Sequence, residues 1–173
     1  MDYLRQFVIS FKGLKPGEHQ YDFDIDDLFF DSFEYSELKK GQIHVHLNMM
    51  KEETMLILQF NLAGKITVPC DRCFEPVDIP VEGDEELIIK FGSDFHEESE
   101  SIQIIPEGEG QIDVSNFIYE YIHLLVPARK VHPEDEEGNS SCDPEIIKRL
   151  DTIAPSSEPD PRWEVLKKLT TKN

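Results

Sequence analysis

Positive charge is scarce in this sequence: 17 Lys and Arg stand against 36 Asp and Glu in 173 residues, a formal net charge of −19 at pH 7. A surface of that sign repels phosphate backbones, which argues against an ordinary basic nucleic-acid binder. Cysteine is also scarce, with three in all. An odd count is a poor disulfide framework and fits a reducing cytosol, so the expected compartment is cytoplasmic. Long apolar runs are missing; no segment approaches the roughly 18 apolar residues a membrane helix needs, and no membrane association is expected. The opening MDYLRQFVISFKG breaks its apolar stretch with Arg5 and carries no small-residue cleavage pattern, so no signal peptide is expected. Also missing are G-x-S-x-G, Walker A, G-x-G-x-x-G and H-E-x-x-H patterns. No catalytic residue is assigned, and the protein is not expected to be an enzyme.

What is present is enough to build a core. Hydrophobic residues make up 39%, with 11 Phe among them, too many for a disordered acidic chain. Residues 6–11 and 20–25 read as short strands. In residues 42–49, Ile43, Val45, Leu47 and Met49 alternate with His44, His46 and Asn48, which at period two turns one apolar face to a core. A polar Lys51-Glu52-Glu53 turn leads to Leu56, Leu58, Phe60 and Leu62 in the same alternation, the clearest hairpin of the chain. Residues 77–91 should return beside it as strand, in a simple antiparallel meander. Residues 92–101 read as an acidic loop and residues 102–105 as a brief strand.

The period then changes. Val114, Ile118, Tyr121, Ile122 and Leu125 are spaced for a helix over 114–125, with Asp113 or Ser115 as its cap and Pro127 as its stop. Residues 133–141 form an acidic Gly/Asn/Ser-rich linker that should be mobile. Residues 144–150 suit a short helix, and Asp160-Pro161-Arg162-Trp163 opens another, with Trp163, Leu166 and Leu169 on one side. The expected class is α+β: an antiparallel, strongly curved or barrel-like sheet with one packed helix and a flexible C-terminal tail bearing short helices. The expected division is a sheet-plus-helix domain over 1–130 and an acidic linker with a helical tail over 131–173.

The densest chemical signal is Cys70-Asp71-Arg72-Cys73, a C-x-x-C at a strand end. Two thiolates at this spacing can reach one tetrahedral ion, and Cys142 with His132 could supply two further ligands from the far side of the linker. Such a site would staple the tail to the sheet, and zinc would be its natural occupant. A second C-x-x-C is missing, so the plainer reading is preferred: a β-turn whose two small residues pack under their neighbours. No cofactor is required by the sequence. A thioredoxin-like role is disfavoured because Pro76, Val77 and Ile79 continue a strand pattern where a helix N-terminus is needed. His44 and His46 read as the solvated half of an amphipathic strand. Phe29, Phe30 and Phe33, set among carboxylates, could grip a basic partner, but core filling is preferred for at least two of them.

Three blocks stand in order: Cys70-Asp71-Arg72-Cys73; Ile112-Asp113 leading to a helix that ends Leu124-Leu125-Val126-Pro127, with His132-Pro133; and Asp160-Pro161-Arg162-Trp163 followed by Leu166-Lys167-Lys168-Leu169. Together they resemble the YceD family, the large ribosomal RNA subunit accumulation proteins, over most of residues 55–170. The resemblance implies a bacterial or organellar protein needed for synthesis, processing or stability of large-subunit rRNA. In bacteria the family's gene commonly lies beside that of a small basic ribosomal protein. Many members carry further cysteines near the C-terminus, where this chain keeps only Cys142. The family brings no established catalytic residues.

The expected function is therefore a non-enzymatic ribosome-biogenesis factor that binds a basic large-subunit ribosomal protein or a pre-ribosomal particle. Arg72, Arg162, Trp163, Leu166 and Lys167 are the candidate partner-binding residues, and Cys70, Cys73, His132 and Cys142 the candidate metal ligands. Excess negative charge favours electrostatic capture of a basic protein. Direct rRNA binding or processing is the alternative, and it would need a basic, aromatic patch or carboxylates clustered around Mg²⁺.

Overall fold

The structure, a computed structural model, describes residues 3–153. A 3-10 turn over Tyr3–Phe7 runs into β1 (Val8–Ser10), which is followed by β2 (Gly17–Ile25) and the short helix α1 (Asp27–Asp31). Three long strands come next: β3 (Lys40–Lys51), β4 (Met55–Pro69) and β5 (Pro76–Gly92). The shorter β6 (His96–Ser99), β7 (Ile102–Pro106) and β8 (Gln111–Asp113) precede helices α2 (Ser115–Leu124) and α3 (Pro144–Ile153).

Strands β2 to β5 form the expected meander, and β3 and β4 pair along their length from Lys40 opposite Thr67 to Lys51 opposite Leu56. The full order is β2-β3-β4-β5-β7-β6, with β1 and β8 as a separate antiparallel pair. Three expectations need correction. The sheet is open, with β2 and β6 at its edges among the described residues, and does not close into a barrel. It is mixed, because β7 runs parallel to β5. The stretch expected as an acidic loop contains β6, which lets the chain turn and insert β7 between β5 and β6.

One side of the sheet carries the core. Ile43, Val45, Leu47 and Met49 of β3, Leu56, Leu58, Phe60 and Leu62 of β4, and Leu87 and Ile89 of β5 are buried there. Alternation at period two puts them on that side. The expected helix α2 is joined by the short α1, which the sequence reading lacks, and α3 stands where a helix over 144–150 is expected. Asp26 caps α1 by accepting from the Leu28 and Phe29 amides at 3.0 and 3.3 Å, a contribution of about 1 kcal/mol for a typical N-cap. Phe29 and Phe30 are thereby sunk completely in the core, as expected for at least two of the three rings. Phe33 is half-buried and stacks on Tyr119.

Helix α2 begins where Asp113 Oδ1 accepts from the Ser115 amide at 2.9 Å. Asp113 thus acts from the residue preceding the helix cap, Val114. The helix buries Ile118, Tyr121 and Ile122 and sets Tyr121 edge-on to Phe60. At its end Leu125 covers Gly83, where any side chain would run into the leucine methyls. The chain leaving α2 is consequently delivered to the end of the sheet where β4 turns into β5.

Candidate metal centre

The turn between β4 and β5 is built by its own backbone. The Phe74 amide donates to the Cys70 carbonyl and the Cys70 amide to the Glu75 carbonyl, both at 2.9 Å. Phe74 closes the turn at φ 64, a left-handed conformation that costs a non-glycine residue about 1–2 kcal/mol. Its ring is 79% exposed. This geometry turns the Cys70 and Cys73 side chains inward, and both are buried. The Arg72 amide lies 3.4 Å from Cys70 Sγ and donates to it.

A second segment closes over the turn. The Asp71 amide donates to the Lys130 carbonyl and the Lys130 amide to the Asp71 carboxylate, each at 2.7 Å. Two residues further on, His132 faces the cysteines. The stretch read as a linker folds back on itself: Asp135 accepts from the Glu137 and Asn139 amides, and Glu134 bridges Ser140. That turn returns Cys142 to the site, where it is buried.

Four ligand atoms converge: the sulfurs of Cys70, Cys73 and Cys142 and a ring nitrogen of His132 all lie within 4.8 Å of one another. Cys70 Sγ and Cys142 Sγ are 3.8 Å apart, and His132 Nδ1 is 3.5 Å from Cys73 Sγ and 3.7 Å from Cys142 Sγ. His132 Nε2 lies 3.2 Å from the Pro76 carbonyl oxygen. A carbonyl can only accept, so that contact places a hydrogen on Nε2 and turns the Nδ1 lone pair toward the sulfurs when the ring is neutral.

The electrostatics agree with a cation site. Burial pushes the Cys70 thiol up, but the backbone amides of Cys73 and Arg72 and the neighbouring His132 outweigh it and bring the group down to about 6. Cys142 is lowered, chiefly by the Ser140 hydroxyl. Cys73 is raised by its burial, and His132 is raised by its contacts with Cys70 and then Cys142. Negative sulfur is therefore favoured at Cys70 and Cys142 beside a positive ring, and a metal cation would take the place of that proton.

All four candidate ligands named from the sequence are thus brought together, and the preferred plain turn turns out to be one wall of the cluster. Arg72 sits half-buried in the same turn. The other candidate partner-binding residues, Arg162, Trp163, Leu166 and Lys167, lie outside the described residues. Sequence reasoning misses Asp71, the Pro76 carbonyl and Ser140; their roles depend on a chain reversal with no signature in spacing. His44 and His46 lie on the exposed side of the sheet as expected, tied to Asp24 and Asp22 at 3.0 and 2.8 Å.

Fold and site define an open α+β sheet protein in which residues 130–142 bring His132 and Cys142 to the Cys70–Cys73 turn. Residues 58–170 match the family described as large ribosomal RNA subunit accumulation protein YceD. The chain belongs to that family, which is named for the accumulation of an RNA and not for a reaction. No curated protein and no solved structure matches it. Among the described residues no helix is long and apolar enough to cross a membrane.

Proposed function

We propose that this protein supports accumulation of large-subunit rRNA without catalysis, by binding a basic large-subunit ribosomal protein or the assembling particle that contains it. The observation that carries this reading is the net charge of −19 in a family named for accumulation of that RNA. Each phosphate charge neutralised needs a Lys or Arg, so broad RNA binding is penalised, while the same charge attracts a basic protein and speeds its capture. Ribosomal RNA left without its proteins is open to degradation, and a factor that delivers or shields one of them would raise its level.

The Cys₃His cluster is proposed as a structural zinc site. In a tetrahedral zinc centre two sulfurs stand about 3.8 Å apart and a sulfur and an imidazole nitrogen about 3.6 Å, given the usual bond lengths. The separations of 3.8, 3.5 and 3.7 Å fit that geometry. All four positions are supplied by side chains, as in closed structural sites. Zinc there would tie the segment after α2 to the β4–β5 turn.

The test is affinity capture with the tagged full-length chain at low and high salt, with protein and RNA identified in what is retained. A basic large-subunit protein held at low salt, released by high salt and insensitive to nuclease is the expected result. Recovery of large-subunit rRNA that survives removal of ribosomal proteins would overturn it in favour of direct RNA binding.

A further inference from the structure

The side of the sheet opposite the core has an ordered composition of its own. Register places Met50 of β3 beside Ile57 of β4, Ile57 beside Ile88 of β5, and Ile88 beside Ile102 of β7. All four are half-buried. At the usual strand spacing this apolar row is about 14 Å long. The next row is Asn48, Gln59 and Glu86; beyond it lie His46, Asn61 and Asp84, then His44, Ala63 and Glu82. An apolar row is thus flanked on one side by carboxylates.

Two observations mark this side as prepared for a partner. First, helices α1 and α2 pack on the other side: Tyr121 meets Phe60, Leu125 meets Gly83, and Phe30 lies beside Gly41. Second, the carboxylates of the middle rows are held by neutral donors and not by cations. Asn61 donates to Asp84 at 2.6 Å and Gln59 to Glu86 at 3.2 Å, whereas Lys65 and Lys90 are occupied with Asp78 and Glu98.

We propose that this side of the sheet is the docking surface for the basic partner, and that its occupant is an amphipathic, Lys/Arg-rich segment of that protein. Its apolar residues cover Met50, Ile57, Ile88 and Ile102 while its cations reach Glu82, Asp84 and Glu86. The assignment rests on the function proposed above and adds where the partner binds. A partner that was only basic would have no use for the isoleucine row, and one that was only apolar would leave three carboxylates beside an unsolvated edge.

The probe is total protein extracted from purified large ribosomal subunits, presented to the full-length chain. Two triple variants change the net charge equally: Glu82→Lys, Asp84→Lys, Glu86→Lys on the proposed surface, and Asp31→Lys, Glu34→Lys, Glu37→Lys away from it. The first should weaken capture of the bound ribosomal protein by at least about tenfold while the second retains most of it, as expected when local complementarity adds to net charge. Ile57→Thr with Ile88→Thr should weaken capture as well. Equal capture by both triples would overturn the docking surface and leave the proposed function standing; no ribosomal protein bound by the unaltered chain would overturn the function itself. Carbodiimide cross-linking of the unaltered complex checks the result without relying on a variant's fold. Links from Glu82, Asp84 or Glu86 to partner lysines support the assignment. Links confined to other carboxylates, to a second copy, or to this chain's own Lys167 and Lys168 would overturn it.

Discussion

Asp71 and Lys130 hold each other in both directions: each backbone amide donates to the other residue at 2.7 Å, across 59 positions of sequence. The pair works as a hinge pin. It fixes the chain two residues before His132 against the turn that carries Cys70 and Cys73, and so sets the ring's approach to the sulfurs. Asp71→Ala removes the carboxylate acceptor and keeps the other bond, and should weaken metal binding by about tenfold, the lower end for loss of an outer-shell contact. Asp71→Asn keeps an acceptor oxygen and should lose less. Competition with a chromophoric chelator measures both; an Ala variant that binds as tightly as the parent would show that the pair is idle.

The gently purified protein should carry about one zinc per chain, as a closed four-ligand site demands. Replacing the ion by Co²⁺ should give thiolate charge-transfer absorption together with tetrahedral visible bands. Cys142→Ala should abolish the tetrahedral spectrum, while His44→Gln should leave it intact. Removing the metal should lower the melting temperature and expose residues 130–143 to protease before the sheet is cut. Elemental analysis showing no bound metal in any preparation would refute the site.

The pattern of legibility follows from the range of the interactions. Alternation in β3 and β4 is local, so the hairpin can be read from Ile43, Val45, Leu47 and Met49 against Leu56, Leu58, Phe60 and Leu62. The helical spacing of Ile118, Tyr121 and Ile122 is legible for the same reason. Insertion of β7 between β5 and β6 is not, because Ile102–Pro106 is as short and apolar as an antiparallel strand would be, and direction leaves no mark in five residues. The four metal-site residues can be named from their chemistry. Their convergence cannot be derived, since it depends on Asp135 and Asn139 folding back a segment whose composition reads as linker. The acid and isoleucine rows are equally hidden, because a row across strands exists only once register is known.

Gly64 is a test of the sheet itself. It pairs with Ile43 on one side and Val81 on the other, and a methyl group there would collide with the Gln42 carbonyl oxygen and approach Ile43 Cα at 2.6 Å. Both are backbone atoms, which cannot swing aside as a side chain can. Gly64→Ala should therefore cost at least the roughly 1–3 kcal/mol typical of overpacking, read as a lower urea midpoint at unchanged slope. Gly13, where an added methyl group would meet nothing within 4 Å, provides the comparison: Gly13→Ala should leave the midpoint almost where it was.

The exposed pairs between β2 and β3 make stability depend on pH in a defined direction. His44 Nδ1 lies 3.0 Å from Asp24 and its Nε2 3.3 Å from Asp22. The hydrogen bond to Asp24, followed by the charges of Asp24 and Asp22, raises the ring above its ordinary 6.5. Asp22 is lowered below 3.8, chiefly by its hydrogen bond with His46. A raised folded-state value means that the histidine's contribution is complete below about pH 6.5 and is lost as pH rises through the folded value. A depressed carboxylate acts oppositely: its contribution is complete above its unfolded value and is lost as pH falls. The strand pair is therefore held best between these limits. Because all three side chains are largely solvated, the effect should be small. His44→Gln should lower the urea midpoint at about pH 5.5 and converge with the parent at about pH 8.5, above the range in which the ring is charged; a difference that grew with pH would contradict the assigned direction.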